Sequence, residues 1–164
     1  MDEALLLKES EDAIYIRALG HITANSCAGL KARVFERLER APAPDNVFVD
    51  LSRCEYMDST FMGLLVGFNK RLLRAAERPI TVLGAGETCR KLLKTIGIAR
   101  MVVMSDEEPR FPEDMETVGG KADVELLLGA HDDLIELSEE NQRRFSALRS
   151  VLASEARKPD DGEA

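Results

Sequence analysis

Short, β-rich apolar runs alternate along this chain with segments whose apolar residues recur every three or four positions. That alternation restricts the fold more than any other feature. Ala13-Ile14-Tyr15-Ile16-Arg17-Ala18-Leu19 places Ile14, Ile16 and Ala18 on one face of a strand, and Gly20 breaks the pattern. Asn46-Val47-Phe48-Val49-Asp50-Leu51 and Pro79-Ile80-Thr81-Val82-Leu83-Gly84 are nearly continuous in apolar residues, the mark of strands covered on both faces. Met101-Val102-Val103-Met104 predicts a last short strand, and Ala4-Leu5-Leu6-Leu7-Lys8 a first one, joined to its successor by the polar turn Glu9-Ser10-Glu11-Asp12. Between strands the period changes. Cys27, Leu30, Val34 and Leu38 form one stripe of a helix running from Thr23 to Arg40, which ends before Pro42 and Pro44. Ser59 to Glu77 is helical by pattern and stops before Pro79. Cys89, Leu92, Leu93 and Ile96 give a third apolar face, with Gly97 where a left-handed cap belongs. Helices between buried strands imply right-handed crossovers, hence an α/β fold: a single sheet of about five strands, mixed with a mostly parallel core, and alternating helices.

This domain accounts for residues 1–105. Across 106–121 the composition shifts to Asp106, Glu107, Glu108, Glu113, Asp114 and Glu116 with Pro109, Pro112, Gly119 and Gly120, which reads as an acidic linker. Residues 122–157 carry Leu127, Leu128, His131, Leu134, Phe145, Leu148 and Leu152 mostly on one side of a long helix. Residues 158–164 read as a disordered tail. A long amphipathic helix needs packing for stability, so the extension is expected to fold back, to pair with a second copy as a homodimer, or to present a binding surface.

The chain has 164 residues and a net charge of -8, which argues against the basic face of a nucleic-acid-binding domain. No run approaches the ~20 apolar residues of a membrane span, so no direct membrane insertion is expected. The acidic start, Met1-Asp2-Glu3, lacks the features of a secretory signal and predicts a cytoplasmic location. Cys27, Cys54 and Cys89 are odd in number, lack paired spacing and read as small buried hydrophobes. His21 and His131, the two histidines, fall in no metal-ligand spacing, and His131 reads as a packed residue of the extension's apolar stripe. Gly84-Ala85-Gly86-Glu87 lacks the third glycine of a dinucleotide fingerprint and reads as a turn. Neither a cofactor nor a metal is expected.

Function concentrates where the central strand ends. After Val47-Phe48-Val49-Asp50-Leu51-Ser52 and a short loop, Tyr56-Met57-Asp58-Ser59-Thr60 opens a helix, and carboxyl ends of such strands are where sites gather. Taken alone, Ser59 could be only a helix N-cap. The helix it opens has two stripes: Phe61, Leu64, Leu65, Phe68 and Leu72 form one, and Met62, Val66, Asn69 and Leu73 the other. One must meet the sheet; the other meets either a partner or the C-terminal helix. A hydrolase using Ser59 as nucleophile would need a histidine aimed at it, and no G-x-S-x-G elbow surrounds it.

Tyr56-Met57-Asp58-Ser59-Thr60, followed by Gly63, Leu64, Val66 and Gly67 and preceded by the strand from Val47 to Ser52, resembles the STAS domain of bacterial anti-sigma-factor antagonists. The resemblance extends over roughly residues 4 to 104. It implies a non-enzymatic, phosphorylation-switched binding protein, with Ser59 as acceptor and Thr60 the second candidate. Asp58, Ser59, Thr60, Met62, Val66 and Asn69 would then meet partners. The implied partners are an anti-sigma-factor-type serine kinase, sequestered while Ser59 is unphosphorylated, and a phosphoserine phosphatase. The family glycine two positions after the serine is Phe61 here. The family's Gly-Glu-Leu-Asp before the first helix is Gly20-His21-Ile22-Thr23, which removes an acidic residue at Thr23. A non-phosphorylated adaptor subunit of a transport or signalling assembly is the alternative.

Overall fold

In the computed structural model, residues 3–157 are described; the segment 158–164, read above as a disordered tail, lies outside the described residues. The chain runs β1 (Ala4–Glu9), β2 (Ala13–Ile22), a 3-10 turn (Ala24–Ser26), α1 (Ala28–Glu39), β3 (Asn46–Met57), α2 (Ser59–Ala76), β4 (Thr81–Leu83), α3 (Glu87–Ile96), β5 (Val103–Ser105), β6 (Glu116–Val118), α4 (Val124–Ile135) and α5 (Glu139–Arg157). One sheet has the order β5-β4-β3-β2-β1-β6. Strands β2 to β5 pair in parallel, and β1 is antiparallel to both of its neighbours. This is the mixed sheet with alternating helices that the change of period predicts.

The core lies between the sheet and α1, α2 and α3. Leu5, Leu7, Ile14, Ile16, Val47, Val49 and Leu51 are fully buried, as are Leu30 and Val34 of α1, Phe61, Leu65, Phe68 and Leu72 of α2, and Leu93 of α3. Each such side chain contributes roughly 1.5–3 kcal/mol by leaving water. The other sheet face is aromatic. Tyr15 stacks on Phe48 at 5.6 Å between ring centroids and meets Phe111 edge-on at 5.1 Å, while the Arg17 guanidinium lies 5.2 Å from the Phe111 ring. Cys27, Cys54 and Cys89 are buried free thiols.

Four expectations change. The sheet has six strands instead of about five, because the acidic stretch supplies β6. An uncovered β1 would leave a row of N–H and C=O groups unpaired. Val118 and Glu116 pair with Leu5 and Leu7, and ion pairs hold the segment, Lys8–Asp114 at 2.7 Å and Arg33–Glu116 at 2.8 Å. Residues 106–121 are therefore more than a linker. Gly20 does not end β2: it adopts φ +74°, the strand shifts register there, and β2 continues to Ile22. With that longer partner available, β3 runs on to Met57 instead of ending near Ser52.

The extension, finally, is two helices. Ser138 interrupts it by accepting the Asn141 amide proton at 3.0 Å, and the Asn141 side chain donates to Leu134 O and to Ile96 O, each at 2.9 Å. A straight helix of this length would overhang the domain. Folded into a hairpin, it buries Leu126, Leu134, Phe145 and Leu152 within the chain.

Helix α4 packs on α2 with almost no space between the backbones. A Cβ added at Gly63 would lie 2.3 Å from the Ala130 carbonyl oxygen. Gly63→Ala is accordingly expected to destabilise the protein by about 1–3 kcal/mol, although alanine is the better helix former, because α4 has to move away. Urea denaturation of the two proteins checks this, and an unchanged or higher midpoint would contradict the packing described.

Candidate functional site

At the carboxyl end of β3 the chain turns directly into α2, and Asp58 makes the turn. Its backbone N–H donates to Ile22 O at 3.0 Å, the last residue of the neighbouring β2. Its carboxylate accepts the Phe61 amide proton at 3.0 Å, capping α2, and the Ala24 amide proton at 2.9 Å. Three segments are thus pinned at one residue, two of them by its carboxylate. Such a cap contributes about 0.5–2 kcal/mol to a helix.

Ser59 follows as the first residue of α2, half-buried. Its hydroxyl lies 2.7 Å from His131 Nε2, and His131 Nδ1 lies 2.7 Å from Leu127 O. A carbonyl can only accept, so the neutral ring carries its proton on Nδ1 and Nε2 accepts the Ser59 proton. His131 is 1% exposed and meets Phe145 edge-on at 5.4 Å. Read from the sequence as a packed residue, it is packed, but it is also bonded to the candidate acceptor. No motif links positions so far apart, so this pairing had no local signal.

The other candidate residues are placed less openly. Thr60 is 2% exposed, and Met62, Val66 and Asn69 are buried. Asn69 acts as an internal clamp: its Oδ1 accepts the Ile80 amide proton at 2.8 Å and its Nδ2 donates to Met101 O at 3.3 Å. Only Asp58 and Ser59 of the six reach solvent in this conformation. Phe61 stands where a glycine was expected, yet it is fully buried in the core and does not crowd Ser59 from outside.

The acidic residue missing at Thr23 has a substitute that no local pattern announces. Glu3, just before β1, accepts bonds from the Thr23 amide at 3.0 Å, the Thr23 hydroxyl at 2.8 Å and the Ser26 hydroxyl. Partial burial works to raise the Glu3 pKa, but the bonds from Ser26 and Thr23 outweigh it and hold the carboxyl below the ordinary glutamate range. Burial first, then the Asp58 and Glu3 carboxylates, pushes the neighbouring Cys27 thiol up, so it remains a neutral core group. Among the described residues no group of three or more His, Cys, Asp or Glu is arranged to hold a metal ion.

A family model described as "Mlab, STAS domain" matches residues 5–104, a span that stops before β6, α4 and α5. Solved structures share the fold. The unphosphorylated anti-sigma factor antagonist SpoIIAA is 19% identical, with 64% of this chain and 89% of that one covered at a TM-score of 0.53. Phosphorylated SpoIIAA, the Bacillus cell fate determinant, is 20% identical, covering 63% and 92% at 0.52. A putative anti-sigma factor antagonist from Thermotoga maritima is 20% identical, covering 62% and 85% at 0.53. No curated protein matches the chain.

Two outcomes follow from the geometry. Asn69→Leu leaves the Ile80 N–H and the Met101 carbonyl without their partner and is expected to cost about 2–4 kcal/mol in chemical denaturation. Glu3, with its folded pKa lowered, contributes stability that is present above the ordinary glutamate pKa and lost as pH falls through the folded value. The stability difference between wild type and Glu3→Gln should therefore shrink between about pH 7 and about pH 3, when thermal melts are compared. A constant difference would mean that the carboxylate is not what holds the loop.

Proposed function

This chain belongs to the STAS domain family, and from that premise we propose that it is a phosphorylation-switched protein-binding module with Ser59 as the acceptor. One observation carries the reading. At the carboxyl end of the central strand, a half-buried serine opens a helix whose cap is the preceding aspartate. A phosphoryl group there adds about -1.5 to -2 charge at neutral pH and meets the positive end of the α2 dipole. The domain thus accommodates the modification while its surface charge changes. Thr60, buried, is not the acceptor.

In this reading the partner is an anti-sigma-factor-type serine kinase, sequestered through the Asp58–Ser59 end of α2 while Ser59 carries no phosphate, and a phosphoserine phosphatase resets the switch. SpoIIAA, described in both unphosphorylated and phosphorylated forms, supplies the precedent. The setting is the cytoplasm; among the described residues no helix is long and apolar enough to cross a membrane. Catalysis by Ser59 is disfavoured because a backbone carbonyl, not a carboxylate, stands behind His131. A homodimer through the C-terminal helix would use the part of α5 that the hairpin leaves exposed, Leu148 and Val151.

A second reading, a non-phosphorylated adaptor in which Ser59 is structural, draws on the hydrogen bond that already engages its hydroxyl. Affinity capture from the native cytoplasm with wild-type, Ser59→Ala and Ser59→Asp baits separates the two, alongside mass spectrometry of the endogenous protein. The switch reading expects phosphate on Ser59 and a kinase retained by wild type and Ser59→Ala but lost by Ser59→Asp. Identical partners for all three baits, with no phosphate found, would leave the adaptor.

A further inference from the structure

The α4–α5 hairpin lies outside the family span yet sits on the helix that Ser59 opens. Its contacts run along that helix from one end. His131 accepts the Ser59 hydroxyl proton at 2.7 Å. Ala130 closes over Gly63 so tightly that any side chain there would strike its carbonyl. Lys70 Nζ donates to Asp133 at 2.9 Å and to Glu136 at 2.8 Å. The polar link at Ser59 is the only one of these that a kinase would alter chemically.

The hairpin helix facing Ser59, α4, is acidic. From Asp123 to Glu136 it carries Asp123, Glu125, Asp132, Asp133 and Glu136 and no lysine or arginine. Asp133 and Glu136 pair with Lys70 of α2, and Asp132 pairs with Arg149 of α5 at 2.8 Å, so both of these cations are already engaged by carboxylates.

We propose that the α4–α5 hairpin is an intramolecular cover of α2 latched by the Ser59 hydroxyl, and that phosphorylation of Ser59 releases it. The inference rests on Ser59 being the acceptor. Transfer from a nucleoside triphosphate bound by the kinase replaces the Oγ–H bond with an Oγ–P bond; the proton passes to a base of the kinase and the nucleoside diphosphate leaves. The resulting ester oxygen has no proton to donate. His131 Nε2 then loses its partner in a site almost sealed from water, a costly position for a polar atom. The new dianion also faces an acidic helix. Both effects act on the docked hairpin and neither acts on the released one, so the modification shifts the population toward release. The unphosphorylated chain then offers only the Asp58–Ser59 end of α2, whereas in the phosphorylated chain the hairpin no longer covers the Gly63–Gly67 face.

The test uses the full chain with phosphoserine installed at position 59 during translation, so no kinase is needed. Hydrogen–deuterium exchange is read over residues 124–157 and, as an internal control, over β2 and β3. Ser59→Ala, which removes only the hydroxyl, is expected to raise opening of the hairpin about tenfold, and phosphoserine to raise it further, with the sheet unchanged. Hairpin exchange equal to or slower than wild type in the phosphoserine protein overturns the proposal. So does protection lost from hairpin and sheet together, which would mean that the domain itself unfolds. Absence of phosphate on Ser59 in the native cytoplasm would instead count against the acceptor reading, and the exchange experiment reports on the latch independently of it.

Discussion

The carboxylate of Asp58 is the constraint on which the functional end of this molecule depends. It holds the first turn of α2 and the start of the 3-10 turn in a single pair of bonds, while its own amide continues the pairing of β2 with β3. Ser59 can stand at the helix start with its hydroxyl free to bond His131 because the residue before it has already capped the helix. Capping of the helix and placement of the proposed acceptor are therefore one event. Glu3 reinforces the same loop from the far side, bonding Thr23 and Ser26, so that the loop is braced by two carboxylates supplied from distant parts of the chain.

Above this braced loop the hairpin contributes a different kind of interaction. Its packing against Gly63 is steric and carries no group that a kinase alters, but its bond to Ser59 depends on one proton. A tightly packed helix pair gives a small chemical change something discrete to act on, because close-packed interfaces fit or do not fit. The sheet, by contrast, has the face it turns to the helices filled by aliphatic side chains.

Much of the architecture was legible because it is written in near neighbours. The alternation of Ile14, Ile16 and Ala18, the stripe of Leu30, Val34 and Leu38, and the stops at Pro42 and Pro79 each depend on a few adjacent residues. What escaped notice depended on partners elsewhere. Gly20 resembles a strand breaker until a second strand, β3, is present to share a bulge with it. Glu116 to Val118 look like linker until an open strand edge needs covering. The break at Ser138 is unreadable without knowing that Asn141 will reach both Leu134 and Ile96.

The sequence by itself determined the α/β order, the family to which residues 5–104 belong, and the position of Ser59 at a helix start, since periodicity, turn chemistry and a short motif are local properties of a chain. Only the tertiary structure decided that Asn69 is an internal clamp, that Glu3 supplies the acid Thr23 lacks, and that His131 lies against Ser59 from 72 residues away. Those pairings arise when buried polar groups must find partners among whatever side chains packing brings near, and no short stretch of sequence encodes which ones these will be.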